Sequence, residues 1–131
     1  MTDIIEKDLS YQIVQAGYIV FNELGPGFNE DIYENAMAIV LKKHNHVIEE
    51  QKRVKVYFHG VEVGLHKIDL IVDGCVVLEL KAVSEIAAVH RQQALSYLKA
   101  TGLELALVIN FGASRLQVAR VVNTKQKRKF A

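Results

Sequence analysis

The sequence contains one cysteine and one proline, and it lacks a long apolar run. A single cysteine, Cys75, excludes an internal disulfide and argues against the cysteine-rich zinc modules. No stretch reaches the ~18 consecutive apolar residues that suggest a membrane-spanning helix. The first ten residues carry Asp3, Glu6 and Asp8, which is unlike a secretory signal peptide. We therefore expect a cytoplasmic protein that has no membrane partner.

Sequence features that separate domains are also missing. Pro26 is the one proline, and neither a Ser/Gly-rich linker nor an internal repeat interrupts the 131 residues. Half of the residues are hydrophobic, which is sufficient for a core without disulfide or metal support. We predict a single domain over residues 1–123, followed by a basic tail over residues 124–131.

The net charge is only +1, but the charges are unevenly distributed along the chain. Residues 1–34 contain seven acids and one base, whereas the remaining residues contain eight acids and fifteen bases. Two interpretations are open. The asymmetry is either an uneven surface without a role, or a basic body that attracts a polyanion through its phosphates. The candidate site described below favours the second interpretation.

Hydrophobic periodicity predicts the element order α, α, β, β, β, α, β, β. The first helix ends at Gly25-Pro26-Gly27, a strong helix breaker, and Asn29 is a suitable N-cap for the second. Period-two alternation then predicts three strands, and Ser84 is a suitable N-cap for the third helix. The predicted strands cover residues 54–58, 61–72, 75–81, 105–111 and 116–122. The third predicted helix covers residues 85–100.

Three charged residues interrupt strands that are otherwise apolar. Asp69 lies within the second predicted strand, and Glu79 and Lys81 lie within the third. Alternation places Glu79 and Lys81 on one face of their strand and Val76, Leu78 and Leu80 on the other. A solvent-exposed face is the simpler interpretation of such charges. The flanking residues instead indicate a sheet covered on both sides, where carboxylates need a cation or a metal ion.

The register between the second and third strands decides whether Asp69 and Glu79 meet. A two-residue turn at Asp73-Gly74 would pair Asp69 with Leu78 and place Glu79 on the opposite face. A three-residue loop over residues 72–74, ending in a left-handed glycine, would pair Asp69 with Val77 and place both acids on one face. A shared site requires this register or an equivalent bulge, so we predict one.

Converging carboxylates of this kind have a specific chemistry. Asp69 and Glu79 would offer the hard oxygen ligands that Mg²⁺ prefers, and the Leu80 carbonyl between them and Lys81 is a further candidate ligand. Lys81 would lie on the same face as Glu79. Its ammonium could orient an attacking water or stabilise charge on a phosphoryl transition state.

The spacing of these residues resembles the PD-(D/E)XK nuclease motif, in which an acid is followed on the next strand by Glu-x-Lys. Here Asp69 comes ten residues before Glu79 of Glu79-Leu80-Lys81. The motif's usual proline is replaced by Ile68. More narrowly, residues 27–33 (GFNEDIY) resemble the signature of the GxxExxY proteins, which are grouped with these nucleases. Other stretches similar to that family are Leu24-Gly25-Pro26-Gly27, residues 78–83 and residues 93–102.

The resemblance implies an α/β fold of restriction-endonuclease-like type, with a mixed central sheet flanked by helices. It also implies hydrolysis of phosphodiester bonds in nucleic acid with Mg²⁺ or Mn²⁺, DNA being favoured over RNA. Asp69, Glu79 and the Leu80 carbonyl would hold the metal, and Lys81 would assist the water. So small a domain has little room for base readout, so we expect structure-selective or partner-directed cleavage. By analogy with the fold, a homodimer would present one site per strand.

Supporting residues are implied on two helices. The superfamily often supplies an extra acid from its first core helix, where Glu30 occupies the signature position near Tyr33 and Glu34. A favourable helix-dipole interaction of ~0.3–1 kcal/mol accounts for Glu30 equally well. A glutamine on the helix after the motif strand helps to orient related sites, and Gln93 matches it, with Tyr97 one turn further on. A partly buried polar patch on a packed helix is the simpler interpretation of Gln93 and Tyr97.

Two other functions are compatible with the same residues. The first is a nucleic-acid-binding or protein-interaction module that keeps the fold but does not cut. The second is a structural subunit whose inward charges neutralise each other, which an ion pair between Lys81 and Glu79 would support. We expect the nuclease, because Asp69, Glu79 and Lys81 are all present.

Overall fold

The structure is a computed structural model that describes residues 4–124. The predicted basic tail, apart from Thr124, lies outside the described residues. Within them the predicted element order is confirmed, and no helix is long and apolar enough to cross a membrane. The elements are α1 (Lys7–Leu24), α2 (Glu30–Lys43), β1 (Ile48–Phe58), β2 (Val61–Val72), β3 (Val76–Lys81), α3 (Ala88–Thr101), β4 (Leu105–Asn110) and β5 (Gln117–Val122).

Two of the three predicted helix starts and stops agree with the structure. α1 ends at Gly25, whose φ of 67° suits a residue without a side chain, and Asn29 is the N-cap of α2. The prediction for α3 is wrong by three residues, because the helix begins at Ala88 and Ser84 does not cap it. Instead, the His90 side chain accepts a hydrogen bond of 2.9 Å from the backbone N–H of Ala87.

The strands form one sheet in the order β1-β2-β3-β4-β5. β3 and β4 are parallel and are connected through α3, and the other neighbours are antiparallel. This mixed sheet is the predicted architecture. β1 starts at Ile48, six residues earlier than predicted, because the first part of this edge strand is polar and exposed and shows no alternation.

Helices cover both faces of the sheet and create two cores. α1 and α2 pack on one face and α3 packs on the other. The first core includes Ile13, Val20, Tyr33, Met37, Leu41, Leu70, Val76, Leu78, Leu80, Leu107 and Ile109. The second includes Ile68, Ile71, Val77, Ala94, Tyr97, Leu98, Ala106, Val108 and Ala119. β3 and β4 are therefore buried from both sides, as their apolar sequences indicate.

The turn between β2 and β3 differs from both registers considered above. Ile71 pairs with Val77, so the predicted pairing of Ile71 with Cys75 is wrong. The loop covers residues 73–75, and its first two residues have positive φ values of 52° and 66°. It is still a three-residue loop, one position further along the chain. The structure therefore confirms that the two acids of the candidate site share one face.

Candidate active site

The candidate site lies where β2 and β3 separate. The paired residues of these strands end at Leu70 and Leu78. Beyond this point, Asp69 Oδ2 accepts a hydrogen bond of 3.0 Å from the backbone N–H of Leu80. Glu79 Oε1 accepts one of 3.3 Å from the backbone N–H of Asp69. Each carboxyl group thus accepts a hydrogen bond from the backbone of the neighbouring strand, at the point where the pairing of β2 with β3 ends. The two carboxyl groups are therefore neighbours.

An irregularity of β2 at Asp69 produces this arrangement. In a regular strand, residues two apart share a face. Ile68 packs in the α3 core, however, and Leu70 packs in the opposite core, so the backbone is rotated between them. The neighbouring strand is distorted at the same level, where Gln51 has a φ of 50°. The rotation brings the Asp69 carboxylate into the gap between β2 and β3.

Glu79 is almost completely buried, with 3% of its surface exposed. Burial, together with repulsion by the charge of Asp69, raises the pKa of Glu79 to about 9. At neutral pH and without a bound cation, the Glu79 carboxyl therefore holds a proton. A site with two adjacent carboxyl groups and little water is one in which a divalent cation would be well accommodated, since it removes this repulsion.

Lys81 lies on the same face of β3 as Glu79, where its side chain contacts α3. Its Nζ donates a hydrogen bond of 3.2 Å to Gln93 Oε1, so the lysine and this glutamine of α3 are in direct contact. Across residues 4–124, the ion pairs do not include one between Lys81 and Glu79. The neutralised pair expected for a purely structural subunit is not formed.

Tyr97 approaches the carboxyl groups from one turn further along α3. Burial raises its pKa to about 12, and the charges of Glu79 and Asp69 contribute to the shift. Its ring packs against that of His66 in a T-shaped arrangement, with centroids 4.5 Å apart. His66 Nε2 lies 3.3 Å from Ser96 Oγ. Tyr97 is thus a buried neighbour of the candidate site and stays neutral in the physiological pH range.

Of Glu30 and Glu34, the two acids of α2 that the resemblance brings forward, Glu34 is the one that interacts with this group. Burial raises the pKa of Glu34, a hydrogen bond from Gln51 opposes the shift, and the charge of Asp69 adds to it. Glu30 is exposed in the first turn of α2, and no hydrogen bond or ion pair joins it to the site in the described part of the chain. Glu34 is therefore the acid of α2 for which the structure shows an electrostatic interaction with Asp69.

Tyr33 is occupied by the fold rather than by the site. Its hydroxyl donates a hydrogen bond of 2.6 Å to the Gly25 carbonyl and accepts one of 3.1 Å from the Phe28 N–H. Its ring stacks on Phe111 at 4.5 Å. The conformation of the α1–α2 loop accounts for this tyrosine, so an auxiliary role in the site is not supported by its contacts.

The sequence analysis missed a set of residues that fix the chain just after Lys81. Asn110 is fully buried at the end of β4, where its Oδ1 accepts hydrogen bonds from the Val83 and Gly112 N–H groups. Its Nδ2 donates to the Val83 carbonyl and to Gln117. A polar residue ending a six-residue apolar strand was the available signal, because a buried amide needs partners.

The groups around the gap are oxygen donors, which is the type of ligand that a hard divalent cation prefers. Among residues 4–124 no group of three or more Asp, Glu, His or Cys side chains could hold a metal, so a full ligand set would need the backbone and solvent. In an extended strand the N–H and C=O of one residue point to the same side. Because the Leu80 N–H faces Asp69, the Leu80 carbonyl faces the same gap. Mg²⁺ commonly combines one or two carboxylates with water and substrate phosphate.

The family model of the PD-(D/E)XK nuclease superfamily matches residues 7–121, which is nearly the whole described chain. No curated protein matches the sequence. The narrower GxxExxY assignment therefore rests on the sequence motif alone.

A solved structure has a similar fold. The crystal structure of SSO0001 superposes with a TM-score of 0.55 at 18% sequence identity. The match covers 76% of this chain and 52% of that one, so the chain spans about half the length of this structural relative. At this identity the similarity concerns the fold.

Proposed function

Because the chain belongs to the PD-(D/E)XK nuclease superfamily, we propose that it hydrolyses phosphodiester bonds in nucleic acid with Mg²⁺ or Mn²⁺. The supporting observation is the group formed by Asp69, Glu79 and Lys81. The two carboxyl groups meet where β2 and β3 separate, and the lysine is held by Gln93 on the same face as Glu79. A non-cleaving module would have no need of a lysine held beside two carboxyl groups.

The proposed reaction adds water across a P–O bond. The water oxygen bonds to phosphorus and releases a proton to solvent, the bond to the leaving oxygen breaks, and the leaving oxygen takes up a proton from solvent. Lys81 donates a hydrogen bond to the attacking water or to a phosphoryl oxygen, where negative charge develops. Gln93 keeps the Lys81 ammonium directed at the gap, because its Oε1 accepts one of the three protons.

Asp69, Glu79 and the Leu80 carbonyl would hold the metal. When bound, a divalent cation supplies Lewis-acid polarisation of the phosphoryl group and lowers the pKa of a bound water. Glu79 must lose its proton for this, since its pKa is raised to about 9 in the free protein. Tyr97 remains protonated beside this pair, since burial and the two carboxyl charges raise its pKa to about 12.

We assign the extra acid from α2 to Glu34. Its interaction with Asp69 and its hydrogen bond from Gln51 support this choice. The two acids provide a matched test, because both lie on α2 and are one turn apart. Glu34→Gln should lower the cleavage rate at least tenfold, whereas Glu30→Gln should change it less than twofold. A larger effect of Glu30→Gln would restore the assignment made from the signature.

The finer features of the activity belong to the same proposal. We propose DNA rather than RNA as the substrate, cleavage directed by substrate structure or by a partner, and a homodimer with one site per strand. Assignment to the GxxExxY proteins and a cytoplasmic location are part of it.

The test is a cleavage assay with Mn²⁺ and with Mg²⁺ on branched, duplex and single-stranded DNA and on RNA. Wild type should cleave at least one of these substrates. Asp69→Asn, Glu79→Gln and Lys81→Gln should each lower the rate by about 10² or more, the usual effect of removing a group that stabilises developing charge. Lys43→Gln, which removes a positive charge from the end of α2, is the matched control for Lys81→Gln and should retain the rate.

The alternative functions predict different results. Absence of cleavage on every substrate, combined with unchanged nucleic-acid affinity in the three variants, would identify a non-cleaving binding module. Cleavage that persists in all three variants would indicate a contaminating nuclease. Isothermal titration without Mn²⁺ binding would contradict the metal site.

A further inference from the structure

A groove lies between the β1–β2 hairpin and the C-terminal half of α3. β1 and β2 have 11 and 12 residues, whereas β3 has six, so the hairpin extends beyond the rest of the sheet. We call the space between them the hairpin groove, which has a volume of about 350 Å³. It is lined by Lys55, Val56, Tyr57, His66, Ser96, Lys99 and Ala100.

The lining of the hairpin groove combines positive charge with an exposed aromatic ring. Lys99 is exposed on α3 and takes part in no ion pair among the described residues. Lys55 is also exposed, and its contact with Glu62 is a surface ion pair at 3.6 Å, which a stronger anion could replace. Tyr57 has 59% of its surface exposed. Lysines and an exposed aromatic ring are the two features with which proteins hold a single nucleic-acid strand.

Two residues that line the hairpin groove contact residues of the candidate site. Ser96 donates a hydrogen bond of 2.6 Å to the carbonyl of Gln93, and His66, which also lines the groove, contacts Tyr97. Lys99 lies six residues after Gln93 on α3, which corresponds to about 9 Å along the helix axis. At ~3.4 Å per phosphate of one strand along a duplex axis, this is a distance of two to three phosphates.

A second groove, which shares Lys55, Tyr57 and Ala100 with the hairpin groove, extends the basic surface along β1. It is lined by residues of β1 and the end of α3, among them Lys52, Arg53, Lys55 and Tyr57. Lys52 is paired with Glu49 at 2.9 Å, but Arg53 has no ion-pair partner within residues 4–124. The excess of cations along this path favours a polyanion over an apolar protein segment as the occupant.

We propose that the hairpin groove holds the nucleic-acid strand on one side of the scissile phosphate. Lys55 and Lys99 contact backbone phosphates, and Tyr57 stacks on an unpaired base. The inference rests on the proposed function, which it deepens by naming a substrate with a single-stranded segment beside the cleavage point. An unpaired base is required because the ring of Tyr57 cannot stack on a base inside a duplex.

The test measures binding rather than cleavage. All variants carry Glu79→Gln, so that the probe is not consumed, and fluorescence anisotropy follows a short labelled single strand, its duplex and a duplex with a single-stranded overhang. Lys55→Gln/Lys99→Gln should weaken binding to all three probes. It should also reduce the slope of log affinity against log salt by about 1.4–1.8, the contribution of two phosphates. Lys43→Gln/Lys7→Gln is the matched control, because it removes the same charge from the opposite layer, and it should leave both quantities near the starting values.

Tyr57→Leu separates stacking from charge. It should weaken binding of the single strand and of the overhang by about 5- to 100-fold, the range for one stacked base, with a smaller effect on the blunt duplex. Phe58→Leu is the matched control at the hairpin tip, where the Phe58 ring stacks on His59 instead of lining the groove. Equal losses in both variants would overturn the assignment of Tyr57.

The outcome also distinguishes the groove from the proposed activity. If wild type cleaves nucleic acid but neither groove variant alters affinity or salt slope, the hairpin groove is rejected and the nuclease stands. If no substrate is cleaved but the groove variants still lose affinity, the groove stands and the nuclease is rejected. If Tyr57→Leu converts a dimer to a monomer with unchanged affinity, the occupant is a second copy of the chain and the proposal is wrong.

Discussion

Two carboxyl groups, those of Asp69 and Glu79, meet in a part of the molecule that excludes most water. The fold accommodates them without a cation by keeping a proton on Glu79, whose pKa is raised to about 9. The proposed chemistry requires that proton to leave. The same residue therefore limits stability in the free protein and supplies a ligand when a cation is present, which makes it the clearest residue on which to test the site.

Glu79→Gln should stabilise the metal-free protein, increasingly so as the pH rises. In the unfolded chain the Glu79 carboxyl loses its proton near pH 4.5, but in the folded protein it does so only near pH 9. Its contribution to stability is therefore complete below about pH 4.5 and is lost as the pH rises towards 9. Glutamine does not ionise. In EDTA at about pH 8, we expect a Tm higher than that of wild type by about 4 °C or more, equivalent to ~1 kcal/mol.

Thermal unfolding at several pH values checks this prediction. Glu85→Gln is the control, because Glu85 is an exposed acid just before α3, and its Tm difference from wild type should stay near zero. Addition of Mn²⁺ should raise the Tm of wild type but not that of Glu79→Gln, since ligands that bind only the folded state stabilise it. A wild-type Tm that rises between pH 5 and 8 in EDTA, relative to Glu79→Gln, would contradict the assignment.

At the scale of elements, the period-two pattern of β3 was sufficient to predict the face of Glu79 and Lys81. Val76, Leu78 and Leu80 pack in the core that α1 and α2 cover, and Lys81 contacts Gln93 on the opposite, α3 side. The rotation of β2 at Asp69 could not be predicted, because it depends on strand separation and on Gln51 in the neighbouring strand. Local alternation contains no information about either.

The same reasoning explains the choice between the acids of α2. Glu30 and Glu34 are separated by about one turn, so helical periodicity places both on one face. Which of them reaches the site depends on how α2 is placed over the sheet, where Tyr33 and Met37 are buried. The signature emphasised Glu30, whereas the charge of Asp69 acts on Glu34 in the folded protein. The position of each acid relative to Asp69 depends on tertiary packing, which the sequence encodes only indirectly.

Gly112 controls the close approach between the segments that follow β3 and β4. A Cβ atom at this position would lie 2.4 Å from the Val83 carbonyl oxygen and 2.5 Å from the Ala82 carbonyl carbon. Gly112→Ala should therefore force the two segments apart, at a cost of about 1–3 kcal/mol. Because the displaced segment directly follows Lys81, the cleavage rate should also fall, by more than the loss of folded protein accounts for.

Gly64→Ala provides the control for this substitution. Gly64 lies in β2, and a Cβ atom there would have no neighbour within 4 Å. We expect an unchanged Tm and cleavage rate. Denaturant unfolding and initial rates at a temperature where both variants are folded measure the two effects separately. Equal stability of Gly112→Ala and wild type would show that the segments after β3 and β4 can separate without strain.

In the whole molecule, the acidic and basic parts of the sequence belong to different layers of the fold. The acid-rich residues 1–34 supply α1 and the start of α2, which cover the face opposite α3. Residues 35–124 contain eleven bases and eight acids, and residues 125–131 contain four bases and no acid. More than half of the positive excess outside residues 1–34 therefore belongs to the last seven residues. The basic body is less basic than the total indicates, and the tail should contribute much of the non-specific attraction for phosphate.

Replacement of the four terminal bases tests this division of charge. The variant Lys125→Gln/Lys127→Gln/Arg128→Gln/Lys129→Gln keeps the chain length and removes only charge. If all four contact phosphates, the slope of log affinity against log salt should fall by about 3, since each contact contributes ~0.7–0.9. The losses should be similar for all probes, because phosphate contacts carry no sequence or base information. The Tm should stay within about 1 °C of wild type, and the Lys55→Gln/Lys99→Gln effect should add to that of the tail, as expected for independent sites. A salt slope unchanged by the four substitutions would place the non-specific affinity on the body of the domain instead.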